Sequence, residues 1–439
     1  MARAPRDRTS PARRLSREPR RDERPIRGSS RRALARRANR LAGTWRAERR
    51  TLRQGLVALT LSTLAGFVAG LPLAALTGTL QDLPGLIVLI PAAVGMRGVI
   101  SGATAARLGT SIAAGVFEVT WTPGSVLRRN VTLGLVLTLG SSLFVAAVAR
   151  ASAAAFDQPS ISFLDLATIS IVGGTLGSLI VLAVAVLLAV ASFRRGYDLD
   201  AVATPVVTAV GDMVTVPAIL LATLLVRVSW AHAVIAPAMI ALAIAGTVVG
   251  YRREPTIRRM LIEMSAVLVL VPVLDVLAGT VLESQSARLF RYPALLLLIP
   301  PFISQAGALG GILSSRLTSK LQIGVLTPRG RPEPPAVVDA SIVVGFGVTI
   351  FTLIGVITVA LAHLTGHAAP GSVTTIGGAL LAGLFVLPLL LLLGYYLAVG
   401  TTRFGLDPDN LSVPLITGVM DLTGVVAVIL AMSLLGVAI

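Results

Sequence analysis

The chain contains no cysteine. That excludes disulfides and thiolate metal sites and says little about compartment. Its three histidines, His232, His363 and His367, are too few for a histidine-based zinc or iron centre and read as solvated residues of outer loops. Charge is also scarce. Only 13% of the 439 residues are Asp, Glu, Lys or Arg, against roughly 25% in a soluble globular domain. No Gly-x-x-x-x-Gly-Lys-Ser/Thr stretch occurs, so no P-loop nucleotide site is expected to power the protein. No cofactor is expected.

What fills the chain instead is apolar. Hydrophobic residues make up 54%, and runs of twenty or more recur from residue 55 to the end. Such runs are long enough to span a bilayer as helices. A membrane barrel would show alternating segments of about ten residues. The composition therefore predicts an all-α polytopic membrane protein whose constant partner is the lipid bilayer, most simply in the plasma or inner membrane.

The net charge of +17 sits almost entirely at one end. Residues 1–53 hold 19 Arg against five acids (Asp7, Glu18, Asp22, Glu23 and Glu48), a net +14. This arm is rich in Arg, Pro and Ser and is expected to be disordered. Its Arg and Ser content is like that of a transit peptide, but its acids and its direct run into a span argue against one. A cytoplasmic arm that sets topology and touches anionic lipid fits better. No aromatic residues interleave its charges in the manner of a nucleic-acid surface, so no specific nucleic-acid partner is expected.

Spans are predicted near 55–78, 84–117, 131–155, 164–192, 202–228, 231–250, 260–282, 293–319, 337–362, 374–399 and 411–438, eleven in all. The first five and the last five form a repeat with a constant offset. Pro91 pairs with Pro300 (300 − 91 = 209), and the same difference relates Gly98 to Gly307, Gly102 to Gly311, Arg107 to Arg316, Arg194 to Arg403, Asp200 to Asp409, Thr208 to Thr417 and Asp212 to Asp421. That registry argues for duplication of one unit. Five spans are odd in number, so adjacent repeats would lie inverted; the single extra span restores one orientation. The expected architecture is two parallel five-helix repeats joined by one extra transmembrane helix, with a pseudo-two-fold axis along the membrane normal. The divisions follow: an arm over 1–53, a first repeat over 54–229, a linker helix over 230–258 and a second repeat over 259–439. A chain that is in effect a fused homodimer can work as a monomer.

Positive charge sets the orientation. With the arm in the cytoplasm, the inner loops contain Arg128-Arg129, Arg194-Arg195, Arg252-Arg253, Arg258-Arg259, Lys320, Arg329, Arg331 and Arg403. The outer loops are nearly free of Lys and Arg, with Arg227, Arg288 and Arg291 as exceptions. The C-terminus then lies outside.

The candidate site lies in the last span of each repeat. Asp212 follows Asp200 by twelve residues, about 18 Å along a helix and so near the middle of the hydrocarbon core. A carboxylate there costs about 2.5–3.5 kcal/mol on insertion scales, and Asp421 incurs the cost again. Thr208 and Thr204 share a helix face with Asp212, and Thr417 shares one with Asp421, while Val413 replaces Thr204 in the second copy. Two carboxylates converging on the axis would repel unless a cation lay between them. Hard divalent cations take oxygen ligands, and magnesium keeps several waters and one or two carboxylates. The alternative is one structural aspartate per half, bonded to neighbouring hydroxyls or backbone. Asp198, Asp200, Asp407 and Asp409, with Asn410 beside them, either gather cations at the cytoplasmic mouth or cap the helices that follow.

A second element is Pro91 to Leu108 and its copy Pro300 to Leu317. Prolines and glycines, Gly98 and Gly307 among them, interrupt both spans. A broken helix beside a cavity would expose carbonyls to an ion; the other reading is close packing through small residues. Arg97, matched by Ala306, could pair with an acid or block a pore. Asp275 lies well inside a span but is matched by Gly66, which makes it a weaker candidate; Asp165, Glu263 and Asp339 stand at span ends.

The Pro–Gly–Gly–Arg-Leu element and the Asp-x-Asp…Pro…Thr…Asp element, each present twice, resemble the MgtE-type magnesium transporters, and more closely their two-repeat solute-carrier relatives. The resemblance covers about 55–229 and 259–439. It implies a five-helix unit used twice around an axial pore that carries magnesium or similar divalent cations, with Asp212 and Asp421 at the position of the family's pore aspartate. Val99 and Ala308 stand where the family usually has asparagine, and Ser101 where two-repeat members commonly have an acid; those groups line the family's pathway. The regulatory domains of single-repeat members are absent. Two other functions remain on the sequence alone. One is transport of another cation or an organic solute on the same scaffold. The remote one is an intramembrane aspartyl protease, although neither its Gly-x-Gly-Asp nor its Tyr-Asp motif is present.

Overall fold

The computed structural model describes residues 49–439 except 123, 196–198, 227–228, 254, 256–257, 260–261, 263–264, 407 and 438–439. Nearly all of the Arg-rich arm lies outside the described residues, as do Asp198 and Asp407 and the side chains of Asp200, Thr204, Thr208, His232, Asp409 and Asn410. Among the described residues there is no strand, and eleven helices are long and apolar enough to cross a membrane.

The first repeat comprises α1 (Arg49–Ala75), the short α2 (Thr77–Asp82), α3 (Leu86–Ala113), α4 (Val126–Ala155), α5 (Phe163–Arg195) and α6 (Leu199–Val226). The linker helix is α7 (Ser229–Arg253). The second repeat comprises α8 (Ser265–Ser284), the short α9 (Ser286–Arg291), α10 (Ala294–Gln322), α11 (Pro334–Thr365), α12 (Ser372–Phe404) and α13 (Pro408–Leu434).

The repeat read from residue identities is also a repeat of helix ends. α2 and α9 start 209 residues apart (286 − 77 = 209), and the same shift relates the ends of α1 and α8, both ends of α5 and α12, and the starts of α6 and α13. Gly115 after α3 and Gly324 after α10 have φ of 70° and 75°. Both turns out of the second span therefore use the left-handed backbone that glycine adopts without a Cβ clash.

One expectation is overturned. The Pro/Gly spans are not broken: α3 runs unbroken through Pro91, and α10 through Pro300 and Pro301. A proline in the second turn removes one N–H from the ladder, and the helix continues beyond it. Glycines on α1 and α8 bring the repeats together, while Gly98 and Gly102 of α3 have open space beside them. α1 packs on α6 of its own repeat and across on α10; α8 packs on α13 and across on α3. A Cβ on Gly70 would stand 2.7 Å from the Leu297 carbonyl oxygen, and Gly279 lies in the same way on the backbone of Val88. These contacts are repeat images of each other, as in the self-complementary interface of a two-fold dimer. Close backbone approach through small residues is how membrane helices gain packing energy when lipid is as apolar as their side chains. The linker α7 packs mainly on α4 and α5 and is the least buried of the spans.

Asp339, near the start of α11, is an ion-paired residue. It is fully buried and bound by Arg316 at 2.9 Å and Lys320 at 2.6 Å. Its image in the first repeat is neutral: Arg107 donates to Asn130 Oδ1 at 3.0 Å.

Candidate functional site

Each aspartate sits near the middle of its helix, Asp212 in α6 and Asp421 in α13. Asp212 is half-buried, and Asp421 is 4% exposed.

Their partners differ. Ser304 Oγ of α10 donates to Asp212 Oδ2 at 2.9 Å, which ties the first repeat's aspartate to the second repeat. Asp421 instead meets a third carboxyl. Asp275 of α8 stands carboxyl to carboxyl with it and is fully buried. No donor among the described residues reaches either oxygen of Asp275. A contact between two carboxyls needs a proton or a cation between them, because two bare carboxylates that close repel. Asp275 also lies hard against Gly95 of α3, where a Cβ would collide with its Oδ2.

On the sequence alone Asp275 ranks below the other two because its repeat image is Gly66. The correction follows from the crossing of α8 onto α3. Gly66 packs on Pro301, where a Cβ would stand 2.8 Å from the Cα. Asp275 in the equivalent place finds Gly95, which is the image of Ser304. An acid deep in an apolar run is costly with or without a twin, and that cost is the signal in the sequence that points to Asp275.

Of the other expected site residues, Thr417 stands one turn before Asp421 and donates to the Val413 carbonyl at 3.0 Å. Its hydroxyl oxygen retains acceptor capacity. Gly307 packs against this threonine, with a Cβ position 3.1 Å from its methyl. Gly98 is half-buried on α3. The backbone of Asp200, Thr204, Thr208, Asp409 and Asn410 is helical.

Val99 packs among apolar side chains. It is buried with Val267 and Val271 of α8 in an apolar cluster. Ser101 is buried and donates to the Arg97 carbonyl at 2.5 Å. Arg97 pairs with no acid among the described residues: it donates to Thr215 Oγ1 and, at 3.2 Å, to the Gly174 carbonyl.

The donor set consists of oxygen only: three carboxylates with serine and threonine hydroxyls near them. Among the described residues no group of three His, Cys, Asp or Glu side chains forms a ready-made metal cage. The arrangement is two linked pairs, Ser304–Asp212 and Asp275–Asp421. That suits an ion which keeps much of its water and takes one or two carboxylates.

Residues 90–222 and 299–431 each match MgtE, a divalent cation transporter family. The two matched segments are offset by the same 209 residues (299 − 90 = 209) and together cover more than half of the chain. No solved structure matches it.

Proposed function

The chain belongs to the MgtE family of divalent cation transporters, and we propose that it carries magnesium through a mid-membrane site between Asp212 and Asp421. The observation that carries this reading is Asp275. A buried carboxyl with no donor, pressed against a second carboxyl in an apolar bundle, needs a proton or a cation between the two. In this reading a partly hydrated divalent cation displaces the proton and bridges toward Asp212. Thr417 and Thr208 add hydroxyl oxygens one turn away, and Asp198, Asp200, Asp407 and Asp409 gather cations at the cytoplasmic mouth. Gly98, Gly307, Thr204 and Asn410 border the path. The protein acts as a carrier or channel, not as an enzyme, and one chain holds both halves of the site.

Flux into proteoliposomes under Mg, Mn, Co, Ca and Na gradients tests this. Asp212→Asn and Asp421→Asn are each expected to lower magnesium flux by about a hundredfold, the loss of a charge-assisted contact worth ~3 kcal/mol. Normal transport by both variants would remove the site assignment. In the same reading the N-terminus is cytoplasmic and the C-terminus outside. Because the chain has no native cysteine, single cysteines placed in the loops report sidedness directly, and labelling of residue 160 from the cytoplasmic side would reverse the orientation.

A further inference from the structure

The repeats diverge most around Arg97. A cavity of about 10 Å³, room for one water-sized particle, opens between α3, α4 and α5. Arg97, Thr138, Ser141, Ser142, Ser170 and Ser178 supply its polar lining. Arg97 is 4% exposed, and its Nε–H meets no acceptor. Ser142 Oγ has no partner among the described residues, while Thr138 donates its proton to the Gly134 carbonyl at 2.8 Å, so Ser178 Oγ donates to Thr138 Oγ1 at 2.9 Å. The pocket therefore presents a permanent positive charge and the Ser142 hydroxyl as donors, with no carboxylate to balance them.

The second repeat shows that the fold does not require this pocket. The images of Arg97, Ser142 and Ser178 are Ala306, Phe351 and Leu387. There Phe302 and Phe351 pack with ring centroids 4.7 Å apart, and Leu387 covers Gly347. The same place is solid apolar core. A buried guanidinium without a counter-charge is strongly unfavourable, so the polar version calls for an anion.

We propose that the Arg97 pocket is a binding site for one small monovalent anion of the chloride type. The anion would accept from Arg97 Nε–H and from the Ser142 hydroxyl. It would lie beside α6, because Arg97 also holds Thr215, one turn beyond Asp212.

The test uses the purified full chain in detergent. Thermal unfolding is followed as chloride replaces gluconate, an anion too large for the cavity, at constant ionic strength. The wild type is expected to show a saturable rise in Tm with chloride, and equilibrium dialysis with radioactive chloride should find one site per chain. Arg97→Gln should abolish both signals, and Ser142→Ala should weaken chloride binding about tenfold, as expected for one hydrogen bond to a charged group. Ser178→Leu, which installs the residue of the second repeat, should fill the pocket and abolish binding without altering the charge. Absence of chloride binding by the wild type, or unchanged binding in Ser178→Leu, overturns the proposal even if Arg97→Gln fails to fold.

Discussion

Gly66 and Asp275 occupy the same place in the two repeats, and so do Gly95 and Ser304. In one cross-repeat contact glycine meets proline, and a serine donates to Asp212. In the other an acid replaces the first glycine, and a glycine replaces the serine and gives that acid room. The two changes compensate within one cross-repeat contact. The difference teaches that duplication supplied a symmetric scaffold and that paired substitutions then made its centre asymmetric. The same holds at the periphery, where Arg107–Asn130 faces its ionic image Arg316–Asp339.

The comparison can be broken experimentally. The largest effect is expected from Gly95→Ala, whose methyl meets Asp275 Oδ2. It should destabilise the protein by about 3 kcal/mol, the upper range for overpacking. Adding Asp275→Gly should restore most of that stability, as coupled neighbours do. If it restores none, the glycine and the acid are not a compensating pair.

Next come Gly70→Ala and Gly279→Ala. Both put a methyl onto the backbone of the opposite repeat, so each should cost about 2 kcal/mol in thermal unfolding. Clearly unequal losses would show that the two crossings are not equivalent.

Asp275→Gly alone makes the first helices of the two repeats alike at this position. It is expected to lower magnesium flux about tenfold, or ~1.4 kcal/mol. Unchanged flux would make Asp275 a packing feature only. Ser304→Ala should have the smallest effect, about fivefold in flux, because it removes one hydrogen bond worth ~1 kcal/mol net and leaves the Asp212 carboxylate in place.

The spans, their number and the repeat are all legible in the order of residues. Hydropathy over twenty residues identifies a spanning helix whatever its neighbours are. A constant offset identifies a repeat from residue identity alone. That same reliance on symmetry hides Asp275, since a residue without a twin falls below those with one. It also makes the Pro/Gly elements look like broken helices. Proline and glycine weaken a helix in isolation, whereas in a bundle the glycines are contact points and the helix persists.

By itself, then, the sequence determined what each segment is: eleven apolar helices, two copies of one unit, and an acid within the last apolar run of each copy. Only the tertiary structure decided which segment meets which. Each first helix packs across onto the other repeat, a choice between near-identical partners that no local pattern encodes. Packing within the second repeat brings Asp275 to Asp421, whereas a contact across the repeats brings Ser304 to Asp212, so two equivalent aspartates have unlike partners.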